Sequence, residues 1–210
     1  KSIITQKMGK VLKNSWALFA GIGIILLANG LQGNLMGVRS VIENFSSLST
    51  GILMSGYFVG YFVGSNLTPT LVSRVGHIRV FAAFASTASL SILIIATYVN
   101  PVVWTLGRFL TGLSLVSCYI VAESWLNDRA NNRTRGKLLS IYMIINYFGL
   151  AFGALLLNFD DPQSYKPFVL VSILLSVALI PILLTKRPAP KFKKIGTLNL
   201  KELYNISPLG

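Results

Sequence analysis

Six stretches of this chain are each long and apolar enough to cross a lipid bilayer, and no other feature restricts its fold as strongly. They cover residues 16–37, 48–67, 80–99, 102–126, 138–157 and 167–184. A helix that crosses the hydrocarbon core needs about 20 mostly apolar residues, each adding 1.5 Å. Barrel strands are shorter, about 10 residues, and alternate in polarity. These windows are apolar nearly all round. Helix is then the spanning structure that satisfies its own backbone polar groups. The sequence predicts an all-α membrane protein with a six-helix transmembrane bundle over residues 1–184.

Charge assigns the sides. Nineteen Lys and Arg stand against six Asp and Glu, a net of +13, yet only 12% of the 210 residues are charged. A soluble domain carries about twice that fraction. A nucleic-acid binder would gather its basic residues on one folded, water-facing surface. Here they lie between the windows, so no nucleic-acid partner is expected. Lys1, Lys7, Lys10 and Lys13 precede the first window, and Arg74 and Arg79 separate the second from the third. Arg129, Arg133, Arg135 and Lys137 separate the fourth from the fifth, and six more follow the sixth. The opposite connections hold only Arg39 and Lys166, beside Glu43, Asp160 and Asp161. The positive-inside rule therefore expects both termini in the cytoplasm. The chain does not begin with Met, which is expected of a fragment.

Residues 185–210 form a basic cytoplasmic tail opened by the breaker run Lys186-Arg187-Pro188-Ala189-Pro190. The tail reads equally as an amphipathic helix on an anionic leaflet and as a solvated linker. One Cys and one His leave no disulfide scaffold and little for a metal site. Cys118 reads as a packing residue and His77 as a loop residue. No phosphate loop, metal spacing or nucleophile–base arrangement occurs, so neither an enzyme nor a cofactor is expected.

Helices associate in lipid through small residues and interhelical hydrogen bonds. Gly23, Gly30 and Gly37 form a stripe in the first window; Gly56, Gly60 and Gly64 form one in the second; Gly149 and Gly153 lie in the fifth. All are helix-packing candidates. Asn29 and Gln32 share a face with Gly33 and Met36. Asn146 shares one with Tyr142, Gly149 and Gly153. Thr111, Ser114, Ser117 and Tyr119 follow along the fourth window. These neutral polar side chains suit either interhelical packing or the lining of an aqueous cavity.

Arg108 is of another kind. Burying an Arg mid-helix costs at least about 2.5 kcal/mol on insertion scales, and such a residue normally faces a cavity or a partner, unless it snorkels. Glu123 lies fifteen residues on, about 22 Å along the helix and about 60° around it. It is too distant to pair with Arg108. Arg74 or Arg79 is the available cation for an inner latch, and a direct proton role is the alternative.

Read together, the chain resembles the N-terminal half of a major facilitator superfamily transporter over essentially its whole length. The family's loop signature, Gly-x-x-x-Asp-Arg-x-Gly-Arg-Arg, is partly kept between the second and third windows. Arg74 and Gly76 match; Ser73 stands for the Asp, His77 for the first terminal Arg, and Arg79 falls one position late. The Arg-x-x-x-Gly signature matches Arg108 and Gly112. The strings Gly76-His77-Ile78-Arg79-Val80-Phe81 and Glu123-Ser124-Trp125-Leu126-Asn127 are similar to the YcaD-like branch of bacterial transporters. The Gly-Pro-Gly-Gly pattern of drug–proton antiporters is missing.

The resemblance implies two three-helix inverted repeats in this half, a second six-helix half as partner beyond the 185–210 linker, and rocking of the halves about a midplane site. It implies secondary transport of a small solute, ion- or proton-coupled, across a bacterial inner (plasma) membrane. Arg108, Asn29, Gln32, Thr111, Tyr119 and Asn146 would line the substrate cavity. Arg74, Gly76, Arg79 and Glu123 would form the inner latch. A non-transporting membrane scaffold, sensor or assembly protein is the rival. It explains the glycine stripes equally well and Arg108 poorly.

Overall fold

A computed structural model describes residues 2–130 and 134–184, with side chains from Ser15 onward and without that of Arg129. The described residues form α1 (Ser2–Ile42), α2 (Ser47–Val75), α3 (His77–Thr97), α4 (Pro101–Arg129), α5 (Arg135–Leu156), a 3-10 turn (Leu157–Phe159), α6 (Lys166–Val177) and α7 (Leu179–Leu183). No strand occurs among them. Five stretches qualify as membrane spans by length and hydropathy: Ser15–Ile42, His77–Thr97, Pro101–Asp128, Arg135–Phe159 and Lys166–Leu183. The second window also folds as a long helix, α2, but its Gly, Ser, Thr, Tyr and Asn content keeps it out of that set. The sixth window is one span in two pieces. Pro181 has no N–H to give the carbonyl four residues back, and the helix breaks around Ala178. The tail beyond Leu184 lies outside the described residues.

Short connections have local causes. Ser46 caps α2 by accepting from the Ser49 amide, and Asn100 caps α4 by accepting from Val102 and Val103, with Pro101 just inside. A single residue, Gly76, turns α2 into α3. Its φ of 89° lies where an L side chain is strained, and its N–H closes α2 on the Val72 carbonyl.

Most of the core comes from four helices. Ile22, Ile25 and Leu31 of α1, Phe81 and Ile92 of α3, Leu115 and Val121 of α4, and Val171 and Leu175 of α6 are all sealed from solvent. α2 and α5 lie against this core differently. Each buries one narrow stripe (Leu53, Gly56, Gly60, Gly64, Thr68 and Val72 on α2; Leu138, Tyr142, Gly149 and Gly153 on α5). Both leave broad apolar faces open, including Phe58 and Phe62 on one and Tyr147, Phe148 and Phe152 on the other.

Backbones meet at the glycine stripes. A methyl group at Gly60 would enter the Phe109 carbonyl of α4, and one at Gly112 would enter the Tyr57 carbonyl of α2. Likewise a methyl at Gly153 would enter the Leu27 carbonyl of α1, and one at Gly30 the Leu150 carbonyl of α5. In all four cases the struck carbonyl lies three residues before the partner helix's own glycine. The match extends a turn further. Gly56 approaches the Thr105 carbonyl, and Gly149 approaches that of Gly23. The α2–α4 and α1–α5 crossings are thus built alike. Hydroxyls reinforce the packing: Thr68 meets Ser117 at 2.7 Å, and Ser89 meets Ser172 at 2.7 Å.

The sparse charges at one end of the bundle are used locally. Arg39 pairs with Glu43 and donates to the Pro162 and Gln163 carbonyls, tying the α5–α6 connection to α1, and Lys166 meets Asp160 at 3.5 Å.

Candidate functional site

Arg108 sits two turns into α4 because Asn100 and Pro101 fix where that helix begins. Gly107 beside it packs against Ile95 of α3, holding the turn close to the core. The Arg108 side chain is 5% exposed. Its guanidinium carbon lies 4.5 Å from the centre of the Tyr57 ring, a cation–π contact from α2. Nε and Nη1 are buried and have no hydrogen-bond acceptor. No carboxylate pairs with Arg108 among the described residues.

One turn further, Thr111 links α4 to α1. Its hydroxyl donates to the Gly107 carbonyl at 2.7 Å and accepts from Gln32 Nε2 at 3.3 Å. Gln32 is fully buried, and its Oε1 has no partner. Two turns on, Asn29 donates to the Tyr119 hydroxyl at 3.1 Å. A Cβ placed on Gly33, the residue after Gln32 on α1, would meet nothing within 4 Å. Thr111 with Gln32 and Tyr119 with Asn29 therefore join α4 to α1 by polar contacts, and Arg108, one turn before Thr111 on α4, meets Tyr57 of α2. Asn146 lies half-buried on α5, one turn beyond Tyr142, with no side-chain bond to these residues among the described residues. Ser117 belongs to the α2 contact.

Tyr57 is the residue sequence reasoning missed. It sits between Gly56 and Gly60, so the glycines that bring α2 onto α4 also lower its ring onto Arg108. Its position inside a glycine stripe was the available signal.

At the opposite end of α4, Glu123 is exposed, and its Oε1 accepts from the Tyr142 hydroxyl of α5 at 3.0 Å. Arg74 and Arg79 are exposed, and neither forms an ion pair with Glu123 among the described residues. His77 is not a loop residue: it opens α3, is buried, and places Nε2 3.1 Å from Ser124 Oγ, with Trp125 beside the ring. The Gly76-His77 and Ser124-Trp125 strings thus touch. Cys118 is sealed in the core against the Phe81 carbonyl.

Comparison with known proteins agrees with this architecture. The uncharacterized MFS-type transporter YcaD of Escherichia fergusonii is 27% identical over 189 residues, covering 90% of this chain and 50% of the relative. YcaD of Escherichia coli O6:K15:H31 is 29% identical over 174 residues, covering 80% and 44%. The chain spans about half the length of these curated relatives. Among solved structures, an auto-inhibited POT family peptide transporter superposes with a TM-score of 0.63 at 14% identity, over 84% of this chain and 39% of that one. That likeness concerns the fold. The helices and the relatives describe an integral, polytopic membrane protein. The family model of the Major Facilitator Superfamily matches residues 17–205, and the chain belongs to that superfamily.

Proposed function

We propose that this chain is the N-terminal six-helix half of a secondary transporter, ion- or proton-coupled, that moves a small solute by alternating access. α2 supplies the sixth span. One observation carries the reading: Arg108, buried two turns inside a spanning helix, has no carboxylate partner among the described residues, and one turn further along α4 Thr111 bonds the neutral Gln32 of α1. Intramembrane charges of this kind normally serve a pathway or a bound ion. Arg108 holds the anionic group of a solute or biases a proton site, and Asn29, Gln32, Thr111, Tyr119 and Asn146 supply neutral contacts.

The matched glycine crossings support an internal repeat in which α1–α3 correspond to α4–α6, with α7 completing the last span. The open apolar faces of α2 and α5 support contact with a second half that follows residues 185–210. The basic segments support cytoplasmic termini, and relatives in Escherichia support the bacterial inner membrane. Arg74, Gly76, Arg79 and Glu123 latch the inner end in the outward-open state, with Tyr142 competing for Glu123. The scaffold reading accommodates the glycines but leaves the unpaired Arg108 without a purpose.

Arg108→Ala in the full-length protein, at unchanged expression, is expected to abolish uptake or efflux; undiminished transport would sink the reading. Glu123→Gln should shift the inward/outward balance seen in cysteine-accessibility labelling, and equal labelling would remove the latch.

A further inference from the structure

The Arg108 layer says which solute it fits. Resting on the proposed transport reading, we infer that the site takes a small hydroxy-monocarboxylate, its carboxylate on Arg108 and its hydroxyl donating to Gln32 Oε1.

The charge comes first. One guanidinium is buried here, with Nε and Nη1 lacking acceptors. Carboxylate oxygens are the acceptors it lacks. A single anionic charge balances it; a phosphate dianion would bring an excess charge into a layer that holds no second cation. An amino-acid zwitterion fits less well, by the reverse argument. Its ammonium would lie beside Arg108, and the described carboxylates are remote. Glu43 and Asp160 are engaged in ion pairs at the bundle end, with Asp161 beside them, and Glu123 and Asp128 lie at least about 22 Å along α4.

The hydroxyl follows from Gln32. The Thr111 proton goes to the Gly107 carbonyl, so the Thr111 oxygen must accept, and Gln32 must turn its Nε2 toward it. That orientation leaves Oε1 as a buried acceptor with no donor, on a side chain whose Nε2 is bonded to Thr111, the residue one turn from Arg108 on α4. A buried acceptor left unmade is expensive, and a neutral O–H on the ligand answers it without adding charge.

The test uses the purified full-length protein, with calorimetric binding of L-lactate, propionate, lactamide, alanine and inorganic phosphate. Lactate should bind saturably. Propionate should bind about ten-fold more weakly, the loss of one buried hydrogen bond. Lactamide, alanine and phosphate should show no saturable binding. Gln32→Leu should bring lactate and propionate to equal affinity, and Arg108→Ala should remove both. Equal binding of lactate and propionate by the unmodified protein would overturn the hydroxyl contact. Binding of alanine or phosphate as tight as that of lactate would overturn the monoanion assignment. No binding of lactate, with transport still dependent on Arg108, would overturn the ligand class alone. Transport indifferent to Arg108 would overturn the function beneath it.

Discussion

Replacing Arg108 by Met should make the protein more stable while ending its function. Met follows a similar path and fills similar volume, so packing changes little. The gain comes from the charge. An Arg at the centre of a spanning helix costs about 2.5–3.5 kcal/mol on insertion scales, an upper bound for Arg108 two turns from the helix start, and no carboxylate among the described residues returns any of it. Against this stands the Tyr57 contact at 4.5 Å, worth about 2 kcal/mol when desolvated. The balance favours Met by up to about 1 kcal/mol, and by more if the two unmade donors carry their full penalty. Thermal unfolding of the full-length protein in detergent should show a midpoint raised by a few degrees. Anion binding or transport, assayed on the same preparation, should be gone. Stability given up for activity is the mark of a functional buried charge. A midpoint lowered by several degrees, or loss of folded protein, would refute the reasoning, because Arg108 would then be a structural member of the bundle.

The glycine crossings make a paired prediction: Gly60→Ala and Gly153→Ala should each destabilise by about 1–3 kcal/mol, since each methyl meets backbone carbonyl rather than a movable side chain. Gly51→Ala, with nothing within 4 Å, should instead stabilise by about 0.5–1 kcal/mol in the same unfolding assay. A double-mutant cycle of Thr68→Val and Ser117→Ala should return a coupling of about 0.6 kcal/mol, the usual worth of such a bond in a membrane bundle.

Long apolar windows were legible because length and hydropathy are properties of a segment alone. Their ends were less so. α1 runs from Ser2 to Ile42, well past the apolar stretch that announced it, because helical backbone bonding does not depend on side-chain polarity. The break near Ala178 was foreseeable from Pro181 but hidden inside an otherwise uniform window. His77 read as a loop residue because it follows Gly76. The turn needs only that glycine, and the ring is free to be drawn under α4 onto Ser124.

What stayed hidden was pairing between helices, and that is where the site resides. Arg108 stood out on its own, since a charge in an apolar window needs no partner to be noticed. Tyr57 did not, because a Tyr in a spanning helix is unremarkable until another helix supplies the cation beneath it. The same holds for the likeness of the two crossings. Residues 1–97 and 101–184 share no evident sequence repeat, since side chains that face lipid, core or solute have no reason to match. The close approach of two backbones does constrain them. It demands a glycine on each helix, set so that each meets the carbonyl three residues before the other. Gly60 with Gly112 and Gly153 with Gly30 meet that demand twice. An internal repeat in such a chain is therefore better sought in reciprocal glycine contacts than in aligned residues. It is those contacts that set Tyr57 over Arg108.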